Sequence, residues 1–141
     1  MSRDVLTSHL ILNSCPGIGP VNFRRIYEQD SLTLCELAHL SNQQLQKLGF
    51  NDQQAAALKN PDQELIQKAL DWLDSSDTHH LITLEDTQYP ELLKQNHDAP
   101  PILYAIGDVD LLNTPQIAIV GSRNCTPGGA KTAHEFAHYL A

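Results

Sequence analysis

Apolar residues in the first half of the chain recur at helical spacing and are closely punctuated. Val5, Leu6, Leu10 and Leu12 mark a first helix that ends at Asn13-Ser14-Cys15-Pro16-Gly17. Pro20 suits the first turn of a second helix carrying Val21, Phe23 and Ile26. Leu34, Leu37 and Ala38 predict a third helix. Ser41 with Gln44, and Asn51 with Gln54, have the spacing of capping boxes ahead of Leu45 and Leu48 and of Ala55, Ala56 and Leu58, with Gly49 as the stop between them. Asn60-Pro61 should open the longest helix, with Leu65, Ile66, Ala69, Leu70 and Leu73 on its buried side. The period changes after Ser75-Ser76-Asp77. Leu81, Ile82 and Leu84 predict a strand, Asp86 to Pro90 a turn, Pro90 to Lys94 a helical turn, Ile102 to Ile106 a second strand, and Val109 to Leu112 an apolar turn. Ile117 to Val120 is a short apolar run of the kind expected for a strand covered on both faces, and Ala133, Phe136, Ala137 and Leu140 share one face of a last helix.

A domain boundary is therefore expected near Ser76, with a helical unit over residues 1–76 and an α/β unit over 77–141. With 141 residues and 41% hydrophobic content, two small cores fit better than one large one. The formal charge of −8 argues against a free-standing nucleic-acid binder, and only Arg123 and Lys131 are basic beyond Lys94. Cys15, Cys35 and Cys125 have no zinc-ligand spacing, and their odd count argues against a disulfide framework, so they read as reduced, cytosolic thiols. The start, Met1-Ser2-Arg3-Asp4, lacks the plan of a signal peptide, and no apolar run approaches membrane-spanning length, which makes the cytoplasm the expected compartment.

Two segments carry candidate chemistry. Gly121-Ser122-Arg123 lies between the last apolar run and the last helix, where backbone N–H groups, a hydroxyl and a planar guanidinium can meet one phosphate. Its plain alternative is a connection whose glycine only makes the turn. Gly17-Ile18-Gly19, between two helices with Arg24 and Arg25 on the second, has the form of a helix-hairpin-helix, which grips phosphates without reading sequence. The alternative, a tight turn inside a small bundle, is the favoured one. Lys131 sits about one turn into the last helix and is a further backbone-contact candidate. The dinucleotide fingerprint fails at Arg123, and the P-loop pattern fails at Cys125 and Ala130. His134 and His138 are spaced for one metal, but no third ligand sits nearby, so no metal site and no cofactor are expected. Trp72 is expected to pack the bundle and Tyr89 to pin the linker rather than to stack on bases.

The strand followed by Gly121-Ser122-Arg123, Thr126-Pro127, Gly129, Lys131 and Ala133 resembles the start of the Rossmann-like domain in the bacterial DNA-processing protein A (DprA/Smf) family. Asp86, Tyr89-Pro90, Leu92-Leu93, Pro100-Pro101, Leu103-Tyr104, Gly107-Asp108 and Leu111-Leu112 look like that family's approach to the strand, and Pro16-Gly17-Ile18-Gly19 like its N-terminal helical domain. The resemblance implies a fold of class α plus α/β: a SAM-like or helix-hairpin-helix bundle followed by the truncated start of a Rossmann-like domain. It also implies a recombination mediator without enzymatic activity, which binds single-stranded DNA, protects incoming DNA and loads RecA during natural transformation. Carried over by position, the DNA-binding residues are Gly121, Ser122 and Arg123. A homodimer through the Rossmann-like domain is a further expected partnership. Where the family commonly has Pro-Thr-Pro-Tyr-Gly-Arg-Arg, this chain has Cys125-Thr126-Pro127-Gly128-Gly129-Ala130-Lys131, without the aromatic and one basic residue. Pro127 to Glu135 also looks like the signature of LOG-type phosphoribohydrolases, with Lys131 in place of a glycine. This enzyme alternative rests on Glu135, and a second alternative is a protein-docking module without DNA affinity.

Overall fold

The computed structural model describes residues 2–29 and 34–140, apart from the side chains of Gln29 and Leu34. The expected contribution of the Leu34 side chain to the third helix lies outside the described residues. Six helices come first: α1 (Arg3–Ser14), α2 (Pro20–Gln29), α3 (Leu34–Leu37), α4 (Asn42–Lys47), α5 (Asp52–Lys59) and α6 (Gln63–Asp74). Then follow β1 (His79–Thr83), α7 (Glu91–Lys94), β2 (Ile102–Ile106), a 3-10 helix (Val109–Asn113) and α8 (Pro127–Leu140).

The helix ends follow from local chemistry. Ser41 and Asn51 each accept a hydrogen bond from the backbone N–H three residues on, while Gln44 and Gln54 reach back to the cap N–H, so both capping boxes form. Between them Gly49 takes φ +90°, with its N–H on the Gln46 carbonyl and the Phe50 N–H on the Leu45 carbonyl. That is a Schellman stop, and the accompanying apolar pair, Leu45 and Phe50, is buried. Helix α6 begins later than Asn60-Pro61 suggests because Asp62 supplies the cap, its carboxylate accepting from the Leu65 N–H at 3.0 Å. Leu65, expected on the buried side, then faces solvent, whereas Ile66, Ala69 and Leu70 are buried.

Strands β1 and β2 pair antiparallel, His79 opposite Ile106 and Thr83 opposite Ile102. The buried residues form two clusters, and each draws on both sides of Ser76. One joins Leu12, Phe23, Leu45, Phe50 and Leu58 to Ile82, Leu84, Tyr89, Ala99 and Val109. The other joins Leu6, Leu10, Ile66 and Leu70 to Leu81 and Ile102. The hairpin thus lies on α1 and α6 and closes the bundle. Tyr89 pins the connection between the strands, fully buried with its hydroxyl donating to the Pro100 carbonyl at 2.7 Å. Trp72 stacks on His79, with ring centroids 4.4 Å apart. No helix among the described residues is long and apolar enough to cross a membrane.

One predicted element differs. Residues 117–120 form no strand, and the sheet among the described residues is a two-stranded antiparallel one rather than a parallel sheet. Ile117 and Val120 are 73% and 90% exposed, and on α8 Phe136 and Leu140 are 60% and 52% exposed. A strand covered on both faces needs neighbours on both edges and helices on both sides. Here β1 and β2 are already committed to the bundle, and no ladder reaches residues 117–120. Leaving such side chains in water forgoes about 1.5–3 kcal/mol for each. The apolar pattern of 117–140 is therefore present without the burial it is suited to.

Candidate nucleic-acid interface

From Gly121 to Thr126 the chain is an exposed loop ahead of α8. Thr126 caps that helix: its hydroxyl accepts from the Gly129 N–H at 3.1 Å, and its carbonyl accepts from the Ala130 N–H at 3.0 Å. Pro127 has no N–H to satisfy, so among the described residues the Gly128 N–H is the first-turn donor without a partner in the chain. The Ser122 hydroxyl accepts from the Asn124 N–H at 3.2 Å, which folds the loop into a tight turn and leaves its own proton to donate outward. No carboxylate pairs with Arg123 among the described residues. Gly121 has no left-handed φ, and a Cβ placed on it would meet nothing within 4 Å. Neither strain nor crowding inside the chain calls for glycine there.

Lys131 lies one turn into α8, where its ammonium stands 3.7 Å from the Glu135 carboxylate with both side chains exposed. The structure thus brings Gly121, Ser122, Arg123 and Lys131 onto one loop and helix start. It does not lock them around a single point, because no hydrogen bond joins Arg123 to Ser122. Sequence reasoning missed Thr126 as the cap, although Thr before Pro at a helix start is a recognisable signal. Among the described residues no three His, Cys, Asp or Glu side chains converge to hold a metal. Cys125 is exposed, whereas burial pushes the Cys15 thiol up to about 11.

The Gly17-Ile18-Gly19 turn has a different character. Gly17 adopts φ +74°, Ile18 is buried, and the Gly17 and Pro16 carbonyls accept from the side-chain amides of Asn22 and Gln54. The turn is thereby stitched to α2 and α5. Arg24, the nearer of the two expected cations, is drawn inward. Its Nε donates to Glu28 at 2.6 Å, and its Nη1 donates to the carbonyls of Lys94 at 2.9 Å and Asn96 at 2.8 Å. This guanidinium clasps α2 to the end of α7.

Two family matches divide the chain. Residues 9–71 match the SMF/DprA SAM domain. Residues 80–141 match the family described as DNA recombination-mediator protein A. The chain belongs to the DprA/Smf family. It is similar to protein Smf of Escherichia coli, 31% identical over 104 residues, which are 74% of this chain and 28% of that protein. The DNA processing protein DprA of Bacillus subtilis is 34% identical over 98 residues, covering 67% of this chain and 33% of the relative. DprA of Streptococcus pneumoniae is 44% identical over 50 residues, covering 36% and 18% respectively. The chain thus spans a third or less of the length of these family members. No solved structure gives a significant match.

Proposed function

We propose that this family member binds single-stranded DNA through the loop after Val120, with the Gly121 backbone, the Ser122 hydroxyl and the Arg123 guanidinium meeting one phosphate and Lys131 a neighbouring one. Residues 1–76 act as a SAM-like helical unit and residues 77–141 open a Rossmann-like domain, in which 117–120 becomes a strand and the apolar face of α8 is covered. The bound strand is protected and handed to RecA in the cytoplasm, with a second copy joined through the Rossmann-like domain and no covalent chemistry. The observation that carries this reading is an arginine without a carboxylate partner among the described residues, set beside an uncrowded glycine on an exposed loop. In a chain of net charge −8, an unpaired guanidinium is the group best placed to meet a phosphate fork to fork. The relatives' names, DNA processing protein and recombination-mediator protein, support the same direction.

The test compares single- and double-stranded oligonucleotides by fluorescence anisotropy across salt, alongside release of free base from a nucleoside monophosphate. Preference for the single strand, with no base release, is expected of the full-length protein. Base release that disappears in Glu135→Ala would instead establish the phosphoribohydrolase alternative. A protein-docking role for the chain has a specific observation in its favour, since the Gly17-Ile18-Gly19 turn is tied inward, with Ile18 buried and the Pro16 and Gly17 carbonyls accepting from Gln54 and Asn22. That role predicts a stably folded chain over residues 1–141 without DNA affinity at low salt.

A further inference from the structure

We propose that the cleft between α2 and the end of α7 is a second phosphoryl-binding site, separate from the loop at Arg123. The cleft has a volume of about 410 Å³ and is lined by Val21, Arg24, Arg25, Glu28, Gln95 and His97. At about 30 Å³ for each water of liquid volume, that is room for a phosphate group and its hydration. Its walls carry two arginines against one carboxylate, in a chain whose overall balance is eight negative charges. That carboxylate, Glu28, is already held by Arg24 at 2.6 Å, so the cleft keeps a cation in excess.

Arg24 is fixed as a binding group would need to be. Three acceptors hold its Nε and Nη1, and among the described residues its Nη2 has no hydrogen-bond partner. A guanidinium immobilised in this way loses little further freedom on meeting an anion. Its bonds to the Lys94 and Asn96 carbonyls also hold the end of α7, which carries Gln95 and His97, against α2. Arg25 has no carboxylate partner among the described residues; its guanidinium lies over the turn between α4 and α5, 3.3 Å from where a Cβ on Gly49 would stand, at the edge of the cleft, and the Gln95 amide and His97 ring add donors to the lining. The shared ligand chemistry is a phosphoryl group, carried either by a nucleic-acid backbone or by free phosphate or a mononucleotide. Recognition of this kind is blind to base sequence.

The test is nuclear magnetic resonance of the 1–141 chain at low salt, following the arginine Nε–H and His97 ring signals. Inorganic phosphate, thymidine monophosphate and a short oligothymidylate are titrated separately. All three are expected to shift Arg24, Arg25 and His97 signals, in the Arg123→Gln background as in the parent. Arg25→Gln and His97→Gln should each weaken the response, and Arg25→Gln should lower the oligothymidylate salt slope by about 0.7. Arg24 is left unsubstituted because it holds α7. Saturation by the oligothymidylate at much lower concentration than by the monophosphate identifies a nucleic-acid strand as the source, and equal saturation identifies a free phosphoryl ligand. The proposal is overturned if none of the three moves these signals, if the shifts are confined to residues 121–131, or if both cleft variants respond like the parent. The loop reading fails separately, through loss of any Arg123 effect.

Discussion

Replacing Arg24 by Ala distinguishes a structural clasp from a surface ion pair. The two possibilities differ in which partner is left stranded. If the Glu28 pair were the whole interaction, removing either member would cost the same small amount, roughly 0.2–1 kcal/mol for an exposed pair four residues apart on a helix. The geometry predicts an asymmetry instead. Glu28→Ala removes one acceptor from a guanidinium that keeps two others, and its effect should stay below about 1 kcal/mol. Arg24→Ala removes the donor from the partly buried Lys94 carbonyl and from the more exposed Asn96 carbonyl, at a place where the arginine side chain is only 27% exposed. Hydrogen bonds to a charged group are worth about 1.5–3 kcal/mol when well enclosed, so about 2 kcal/mol in total is expected after allowing for partial solvation. Arg24→Lys restores the charge without the fork and should recover less than half of it. Urea unfolding of the four proteins at constant pH and salt reads these differences directly. Equal, small losses for Arg24→Ala and Glu28→Ala would refute the clasp.

Three further outcomes follow from the same packing. Gly17→Ala should cost about 1–2 kcal/mol because φ +74° is left-handed, whereas Gly19→Ala, with neither positive φ nor a neighbour within 4 Å, should stay within about 0.5 kcal/mol; equal effects in thermal melts would show that strain does not set the turn. Tyr89→Phe leaves the Pro100 carbonyl without its donor and should lower stability by about 1–3 kcal/mol in denaturant unfolding, while a neutral result would mean that water replaces the hydroxyl. The Cys15 thiol should lower stability as pH rises from its ordinary 9.0 towards about 11, since the unfolded thiol ionises first and the folded chain then binds more protons. Urea midpoints between those pH values should therefore fall more steeply for the parent than for Cys15→Ala, and parallel slopes would show that burial does not hold the proton.

Most of the helical half was legible because its signals are local. Capping residues, Pro20 and Gly49 each fix a helix end through their own hydrogen bonds or φ, and both capping boxes and the Schellman stop form as the residue types imply. The two strands were legible from apolar runs and turn residues, and β2 spans the expected Ile102–Ile106, but their antiparallel pairing was not. What the pattern did not reveal was where the hairpin packs. Leu81, Ile82 and Ile102 enter clusters built largely by the helices, and nothing in their spacing says which core they complete. Arg24 illustrates the same limit at the site. A basic residue after a glycine turn looks like a DNA contact, yet its acceptors lie seventy residues away in sequence. For residues 117–140 the periodicity marks an apolar strand and an amphipathic helix, but burial is a tertiary property and β1 and β2 offer no edge to that run.

The central claim is that the guanidinium after Ser122 meets a nucleic-acid phosphate. It is tested most directly by the salt dependence of single-stranded oligonucleotide binding in the full-length protein with and without Arg123→Gln. Loss of one neutralised phosphate should reduce the slope of log affinity against log salt by about 0.7 and weaken binding to unrelated sequences alike. Identical affinity and identical slope for the two proteins would contradict the account.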